Sequence, residues 1–313
     1  MANPRFVHLR FHSEYSIIDG MVRIDPIIEK VLEHGGVALG IADIMNLFGG
    51  VRFYTHAMKA GLNPIIGCDI RLHNPAMPNE PDRLTVYCMH REGYRHLCEL
   101  LTRAYLTKED RLRGQIKLEW FEGKQGEGLI ALTGGPEGAL ARHYAHELPS
   151  LAVMELRRYK EIFGDRLYVE LQRAGRPGDE ALVHELVNLA IEVDVPVVAT
   201  HPVQFLMPED YESHAIRCCI SEGYTLNAPR RNQTFTEEMY LKTEEQMCEL
   251  FADIPSALEN SVQIALRCNL DGVLSKPQLP LFPTPDGMSL DDYIDYLAKQ
   301  GLQKRLDFLY PDK

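Results

Sequence analysis

The chain has 313 residues, 45% hydrophobic and 25% charged, enough for one large domain of roughly 250 residues with an extension, or for two domains. Its formal net charge of -12 argues against this chain being the main grip on nucleic acid, because phosphate neutralisation needs clustered Lys and Arg. Seven cysteines (Cys68, Cys88, Cys98, Cys218, Cys219, Cys248 and Cys268), with no Cys-x-x-Cys pair, argue against a disulfide framework or zinc ribbon and fit a reducing cytoplasm. Met1-Ala2-Asn3-Pro4-Arg5 opens no signal peptide, and no apolar run is long enough to span a bilayer.

In chain order, short β-branched runs alternate with helical periodicity. A strand is predicted over 6–12 and a helix over 25–34; a strand over 37–42 and a helix over 48–60. Strands over 64–70 and 83–89 lead to a helix over 91–106. A strand over 128–133 leads to helices over 136–147 and 150–163, one over 167–172 to a helix over 179–193, and one over 196–200 to a helix over 208–221. Repeated strand–helix units predict a parallel sheet with helices outside it. Seven such strands in about 200 residues favour a closed barrel, with a doubly wound sheet as the alternative. Residues 222–243 read as a loop around Asn227-Ala228-Pro229-Arg230-Arg231-Asn232, followed by helices near 244–252 and 256–268. Pro277, Pro280, Pro283 and Pro285 mark an extended arm. Ser289-Leu290-Asp291-Asp292 then caps an amphipathic helix running to about Tyr310. One helix has no core of its own, so the chain is read as stopping just inside a second domain.

In a barrel, active residues sit at the C-terminal strand ends, which here carry His12, Asp43, Asp69, Gln172 and His201. The plainer alternative is that strand ends are polar because they meet solvent. On a regular strand His8, Arg10 and His12 share a face. Two imidazoles with Asp19 nearby suit a divalent metal, but Arg10 between them is hostile to a cation, and His8 alone reads as structural. Asp43 reads as a ligand or, more simply, a helix N-cap. Cys68 reads as a small core residue. His201 is open between an acid, base or ligand and a loop histidine. The nine other histidines read as solvated. No phosphate-cradling Gly-x-x-x-x-Gly-Lys-Ser/Thr loop, nucleophile elbow or aromatic basic platform is present.

The stretch Phe6-Val7-His8-Leu9-Arg10-Phe11-His12-Ser13-Glu14-Tyr15-Ser16, with Asp19-Gly20, resembles the opening of the bacterial replicative DNA polymerase III alpha subunit family. Asn46-Leu47-Phe48-Gly49, Pro64-Ile65-Ile66-Gly67-Cys68-Asp69, Gly93-Tyr94-Arg95-His96-Leu97 and Leu167-Tyr168-Val169-Glu170-Leu171-Gln172 are similar to it as well. So are Met247-Cys248-Glu249-Leu250-Phe251-Ala252-Asp253-Ile254-Pro255 and Leu279-Pro280-Leu281-Phe282-Pro283-Thr284-Pro285, so the likeness spans essentially the whole chain. It implies an α/β fold in which residues 1–275 form a distorted (β/α)7 barrel, the PHP (polymerase and histidinol phosphatase) domain. Residues 276–313 would be a linker and the first helix of the polymerase core. DNA-directed DNA polymerase activity, a nucleotidyl transfer, and its magnesium would belong to residues beyond the chain end. This fragment would hold no catalytic residue and no cofactor.

Active PHP domains hold a metal cluster at the barrel mouth. The resemblance places Arg10 where the first histidine of a His-x-His pair stands, keeps His12 and Asp19, and puts Ile44 in place of a histidine. Asp69 replaces a glutamate, Arg83 a histidine, Gly135 a cysteine, Pro202 an aspartate and Gln204 a histidine. Three plausible ligands survive among nine positions, so no bound metal is expected. Arg10 and Arg83 stay charged and are expected to pair with Asp19, Asp43 or Asp69. The implied role is a cytoplasmic structural module, away from membranes, that docks a proofreading exonuclease subunit and other replicase subunits, with DNA gripped by later domains. The alternative is a metal-dependent phosphoesterase or exonuclease holding zinc or manganese on His12, Asp19, Asp69 and His201.

Overall fold

The computed structural model describes residues 5–107, 114–223, 225, 235–272, 282–285 and 287–311. Residues 224 and 226–234 of the predicted 222–243 loop, including Asn227 to Asn232, lie outside the described residues, as do Pro277 and Pro280 of the predicted arm. The chain divides into two compact units, Met1–Val273 and Leu274–Lys313.

In the first unit six strands lie side by side in chain order: β1 (Ala38–Ile44), β2 (Asn63–Leu72), β3 (Asp82–Cys88), β4 (Leu129–Leu132), β5 (Leu167–Gln172) and β6 (Val197–Thr200). The helices are α1 (Ile24–Glu33), α2 (Gly50–Ala60), α3 (Arg91–Leu106), α4 (Ala139–Ala145), α5 (Pro149–Phe163), α6 (Asp179–Val193), α7 (Tyr211–Glu222), α8 (Glu244–Leu250) and α9 (Pro255–Arg267). The element types follow the sequence periodicity closely. The sheet is not all parallel, however. β3 runs antiparallel to both β2 and β4, while the β1–β2, β4–β5 and β5–β6 pairs are parallel. Only residues 73–81 join β2 to β3, with no helix among them. A parallel return needs a dozen residues or more, so the chain comes straight back. The start of β3 therefore sits at the end where β2 leaves, with Arg83 opposite Arg71 and Thr85 opposite Asp69.

The predicted first strand is an irregular seventh stave. Phe11 bridges Ile41 of β1 on one side and Val203, just past β6, on the other. Gly40 donates its N–H to the His8 carbonyl and Ala42 donates to the Phe11 carbonyl. Three residues of the stave thus span two of β1, which is a bulge. The extra residue shifts the alternation of side chains, so His8 does not share a face with Arg10 and His12. The backbones also come very close: a Cβ on Gly40 would stand 2.2 Å from the Leu9 carbonyl oxygen.

Alternation on the regular strands separates two apolar layers. Cys68, Ile70, Leu84, Val86, Leu129, Ala131, Val169 and Leu171 join helix residues such as Leu97, Leu100, Leu156 and Leu186 in the outer core. The opposite faces contribute Ile65, Tyr87, Ile130, Leu132, Tyr168 and Val198, which fill the barrel floor together with Val7 and Leu9. The Tyr87 ring needs Gly67 beneath it, because a Cβ there would lie 2.4 Å from the ring. Its buried hydroxyl donates to the Leu9 carbonyl at 2.8 Å, tying the stave to the floor.

In the second unit α10 (Leu290–Leu309) begins at Ser289, whose hydroxyl accepts from the Asp292 N–H, as the sequence predicts. None of its residues is buried.

Candidate functional site: a charged barrel mouth

The inward positions that continue above the floor are polar. On β2 the series 65, 67, 69 ends at Asp69; on β5 the series 168, 170, 172 passes through Glu170 to Gln172; on β6 Val198 is followed by Thr200. Arg10 reaches into this ring from the stave, is only 1% exposed, and is the largest fully buried side chain among the described residues. A buried guanidinium must find acceptors for its donors. Its Nε and Nη2 donate to Asp69 Oδ2 at 2.9 and 2.5 Å, Nη2 also to Glu137 at 3.1 Å, and Nη1 to Glu170 at 3.4 Å. His12 Nε2 lies 2.9 Å from the same Asp69 Oδ2, and its Nδ1 lies 2.8 Å from Asp19 Oδ2. Thr85, brought opposite by the antiparallel β3, donates to Asp69 Oδ1. Asp69 is thereby the hub, with one oxygen shared between the two cationic side chains.

The electrostatics follow. Burial alone would raise the Asp69 carboxyl, but Arg10 and His12 hold it well below the usual carboxylate range. Burial likewise opposes charge on His12, yet Asp19 and then Asp69 raise it to about 10, so the imidazole carries a proton at neutral pH. Asp19 is lowered in return, against its burial, chiefly by His12. Gln204 donates Nε2–H to the same Asp19 oxygen at 3.2 Å. Glu170 completes the far side, accepting from Thr200 at 2.6 Å and Gln172 at 2.9 Å as well as from Arg10.

Two of the expected pairings are different. Arg83 makes no ion pair among the described residues, and its Nη1 is buried without a hydrogen-bond partner. Its charge is felt all the same, lowering Asp19, Asp69 and Glu137. Asp43 does not pair with an arginine and does not cap α2, whose N-cap is Gly49. It accepts from the Ser13 N–H and hydroxyl at 2.7 Å each and from the Ser16 hydroxyl at 2.9 Å, stitching the 13–16 turn to β1. Three serine donors suffice for a carboxylate that burial pushes above its ordinary value.

The remaining positions are structural in their contacts. Ile44 is buried and gives its N–H to Ser16. Gly135 has φ +54° and lies against Gln172. Pro202 is buried beside Val203, which anchors the stave through mutual backbone bonds with Arg10 and His12. Cys68 is a buried thiol donating to the Asp43 carbonyl, with burial pushing it far from a thiolate. His201 lies off the mouth: its Nε2 donates to the Glu238 carbonyl, and its ring faces that of His8, which donates to the Lys242 carbonyl. Both rings are held neutral, with burial the first cause, His8 at about 4. Of the histidines read as solvated, His96, His143 and His214 are in fact buried. Sequence reading missed Glu170, Thr85, Thr200 and Glu137. Glu170 had a signal, a lone carboxylate between Val169 and Leu171 in an apolar strand, where an unpaired charge would be too costly. Thr85 had none without knowing that β3 is antiparallel.

An inward ring of acids at one end of such a barrel, built on a stave that opens the chain, defines a class. Residues 8–174, more than half of the chain, match the family described as PHP domain, and the chain belongs to that family. Across its length it is similar to DNA polymerase III subunit alpha from several bacteria. It is 44% identical to that of Neisseria meningitidis serogroup B over 315 residues, covering 100% of this chain and 28% of the relative. The Escherichia coli K12 protein is 42% identical, covering 100% and 27%. The Pseudomonas aeruginosa protein is also 42% identical, covering 98% and 26%. The chain spans about a quarter of the length of these relatives.

The mouth does not fit a metal cluster. Arg10 puts a fixed positive charge on the Asp69 oxygen that a metal would need, and a guanidinium cannot be deprotonated to make way. Both His12 nitrogens already face carboxylates, Asp19 at 2.8 Å and Asp69 at 2.9 Å. Among the described residues no group of three or more His, Cys, Asp or Glu has metal-binding geometry.

Proposed function

We propose that this chain is the N-terminal part of a replicative DNA polymerase III alpha subunit, and that its barrel is a non-hydrolytic scaffold. The observation that carries this reading is the Arg10 guanidinium on Asp69, inside the ring of acids. A fixed cation neutralises the carboxylates and binds the stave to β2 and β5. It offers no open coordination position and no activated water, so the barrel lacks the means to attack a phosphate ester. Nucleotidyl transfer, its magnesium and the main contacts to DNA then belong to parts of the protein outside this chain, and the net charge of -12 agrees with that division. The scaffold's work is docking of a proofreading exonuclease subunit and other replicase subunits, as expected of an alpha subunit whose own barrel cannot hydrolyse.

Two measurements test this. Incubation of the chain with p-nitrophenyl phosphate and with a 3′-labelled primer, in manganese or zinc, should release no product above buffer. Gel filtration with the exonuclease subunit should show co-elution. Metal-dependent release abolished by Asp69→Asn would establish the phosphoesterase reading instead, and separate elution would remove the docking role.

A further inference from the structure

Outside the mouth, residues 73–79, the end of α3 and residues 115–120 enclose a cavity of about 200 Å³. Drug-sized ligands take roughly 300–1,000 Å³, so this one suits a smaller molecule. Its polar and aromatic lining is His73, Asn79, Thr107, Gln115, Lys117 and Trp120, and no acid lines it among the described residues. The histidine is held by a relay. Gln115 Nε2 donates to the Pro78 carbonyl at 2.8 Å, which turns its Oε1 to His73 Nδ1, also at 2.8 Å. Nδ1 therefore carries the hydrogen, and the neutral ring keeps its lone pair at Nε2.

Two cations beside the cavity have no carboxylate. Among the described residues neither Lys117 nor Arg103 is in an ion pair, and Arg103 lies over the Trp120 ring at 4.0 Å instead. Glu119 feels the Lys117 charge but is taken by Arg158 at 2.5 Å, and Glu80 and Glu122 are exposed. The sequence between Thr107 and Gly114 adds Lys108, Arg111 and Arg113 against Glu109 and Asp110, a balance of +1. In a chain of net charge -12 this is a local positive excess, and a cavity concentrates such a field on an anion. Cations alone would hold any oxyanion. An imidazole lone pair beside them favours one that still carries a proton, because it accepts from the P–OH of phosphate and finds no donor on sulfate. We infer that this cavity is a binding site for a small protonated oxyanion, inorganic phosphate or the phosphate group of a small monoester. The site requires neither the docking role nor hydrolysis in the barrel.

The chain has one tryptophan, so Trp120 emission reports on the cavity. The full 313-residue chain in HEPES buffer is titrated with sodium phosphate, ribose 5-phosphate and sodium sulfate at constant ionic strength. Phosphate or the monoester changes the emission saturably, and the tighter of the two identifies the source. Sulfate binds about tenfold more weakly. Lys117→Gln weakens phosphate binding about tenfold with an unchanged thermal midpoint. Arg157→Gln, which removes an exposed arginine paired with Glu192, binds as the parent does. His73→Phe removes the preference for phosphate over sulfate. Equal effects of phosphate and sulfate on the parent, or equal binding by the parent and Lys117→Gln, overturn the inference. Binding that appears only in the double variant Glu109→Gln, Asp110→Asn means that the chain's own acids fill the cavity, and overturns it too. So does single-stranded oligothymidylate binding far more tightly than either phosphate, which would make the cavity part of a nucleic-acid groove. If Lys117→Gln unfolds, Arg103→Gln must give the same weakening, and its failure to do so also overturns the inference.

Discussion

His8 and His12 lie on the same stave, two residues to either side of Arg10, and both are buried, yet one is neutral and the other charged. His12 enters the barrel mouth between two carboxylates and is protonated. His8 is turned to the other side by the bulge, meets a backbone carbonyl and the ring of His201, and is neutral. Burial penalises charge in both places. What differs is whether an acid is near enough to outweigh it. One extra residue in the stave thus decides which imidazole belongs to a charged network and which to an uncharged packing contact.

The comparison can be broken at several points. The largest effect should come from the mouth's own cation. Arg10→Met leaves Glu170 without its ion-pair partner and Asp69 with the His12 imidazolium as its one remaining close cation. It should cost about 3–5 kcal/mol in urea unfolding, the usual range for breaking a buried pair. Adding Asp69→Leu should return part of that loss, since two apolar residues leave fewer charges stranded. A full-sized loss in the double variant would mean that Arg10 acts through packing alone.

Next comes the bulge. Gly40→Ala drives a methyl into the Leu9 carbonyl and should destabilise by about 1–3 kcal/mol as the stave is pushed off β1. It should also weaken the Arg10–Asp69 contact, which nitrogen chemical shifts of the Arg10 side chain would report.

The two histidines predict pH limbs of opposite sign. The pKa of His12 is raised on folding, from 6.5 to about 10, so its contribution is complete below 6.5 and is lost as pH rises towards 10. The pKa of His8 is lowered to about 4. Below 6.5 the unfolded chain therefore takes the proton first, and stability falls from 6.5 towards 4. Stability should peak near neutral pH. His12→Asn should flatten the alkaline limb and His8→Asn should shrink the acid limb, which His201 shares, measured as urea midpoints from pH 4 to 10. Interchanged effects would mean the two rings were assigned to the wrong environments. The smallest effect is expected for a guanidinium in water: Arg95→Ala loses exposed contacts to Glu92 and Glu99 and should leave the urea midpoint essentially where it is.

Much of this was legible in the residues. Alternation and helical periodicity locate every regular strand and helix of the barrel, because each buries one face against the same core. The charge of the mouth is readable at Arg10, whose guanidinium stays protonated and must find acids when it is buried. Register was not readable. The short link 73–81, without a helix, is a signal that β3 turns back, but it does not fix the register that sets Thr85 against Asp69. A bulge leaves no periodic signature in a stave where residues 6–13 are all buried, so His8 was grouped with Arg10 and His12 on one face. Asp43 looked like a mouth acid from its place near a strand end, but only the fold shows that Ser13 and Ser16 enclose it.

The central claim is that a guanidinium stands where a metal would. Elemental analysis tests it most directly. The chain is dialysed against zinc and manganese, freed of excess ion by gel filtration, and compared with Asp69→Asn. The account predicts far less than one metal per chain in both samples. Near-stoichiometric metal in the parent, lost in Asp69→Asn, would contradict it.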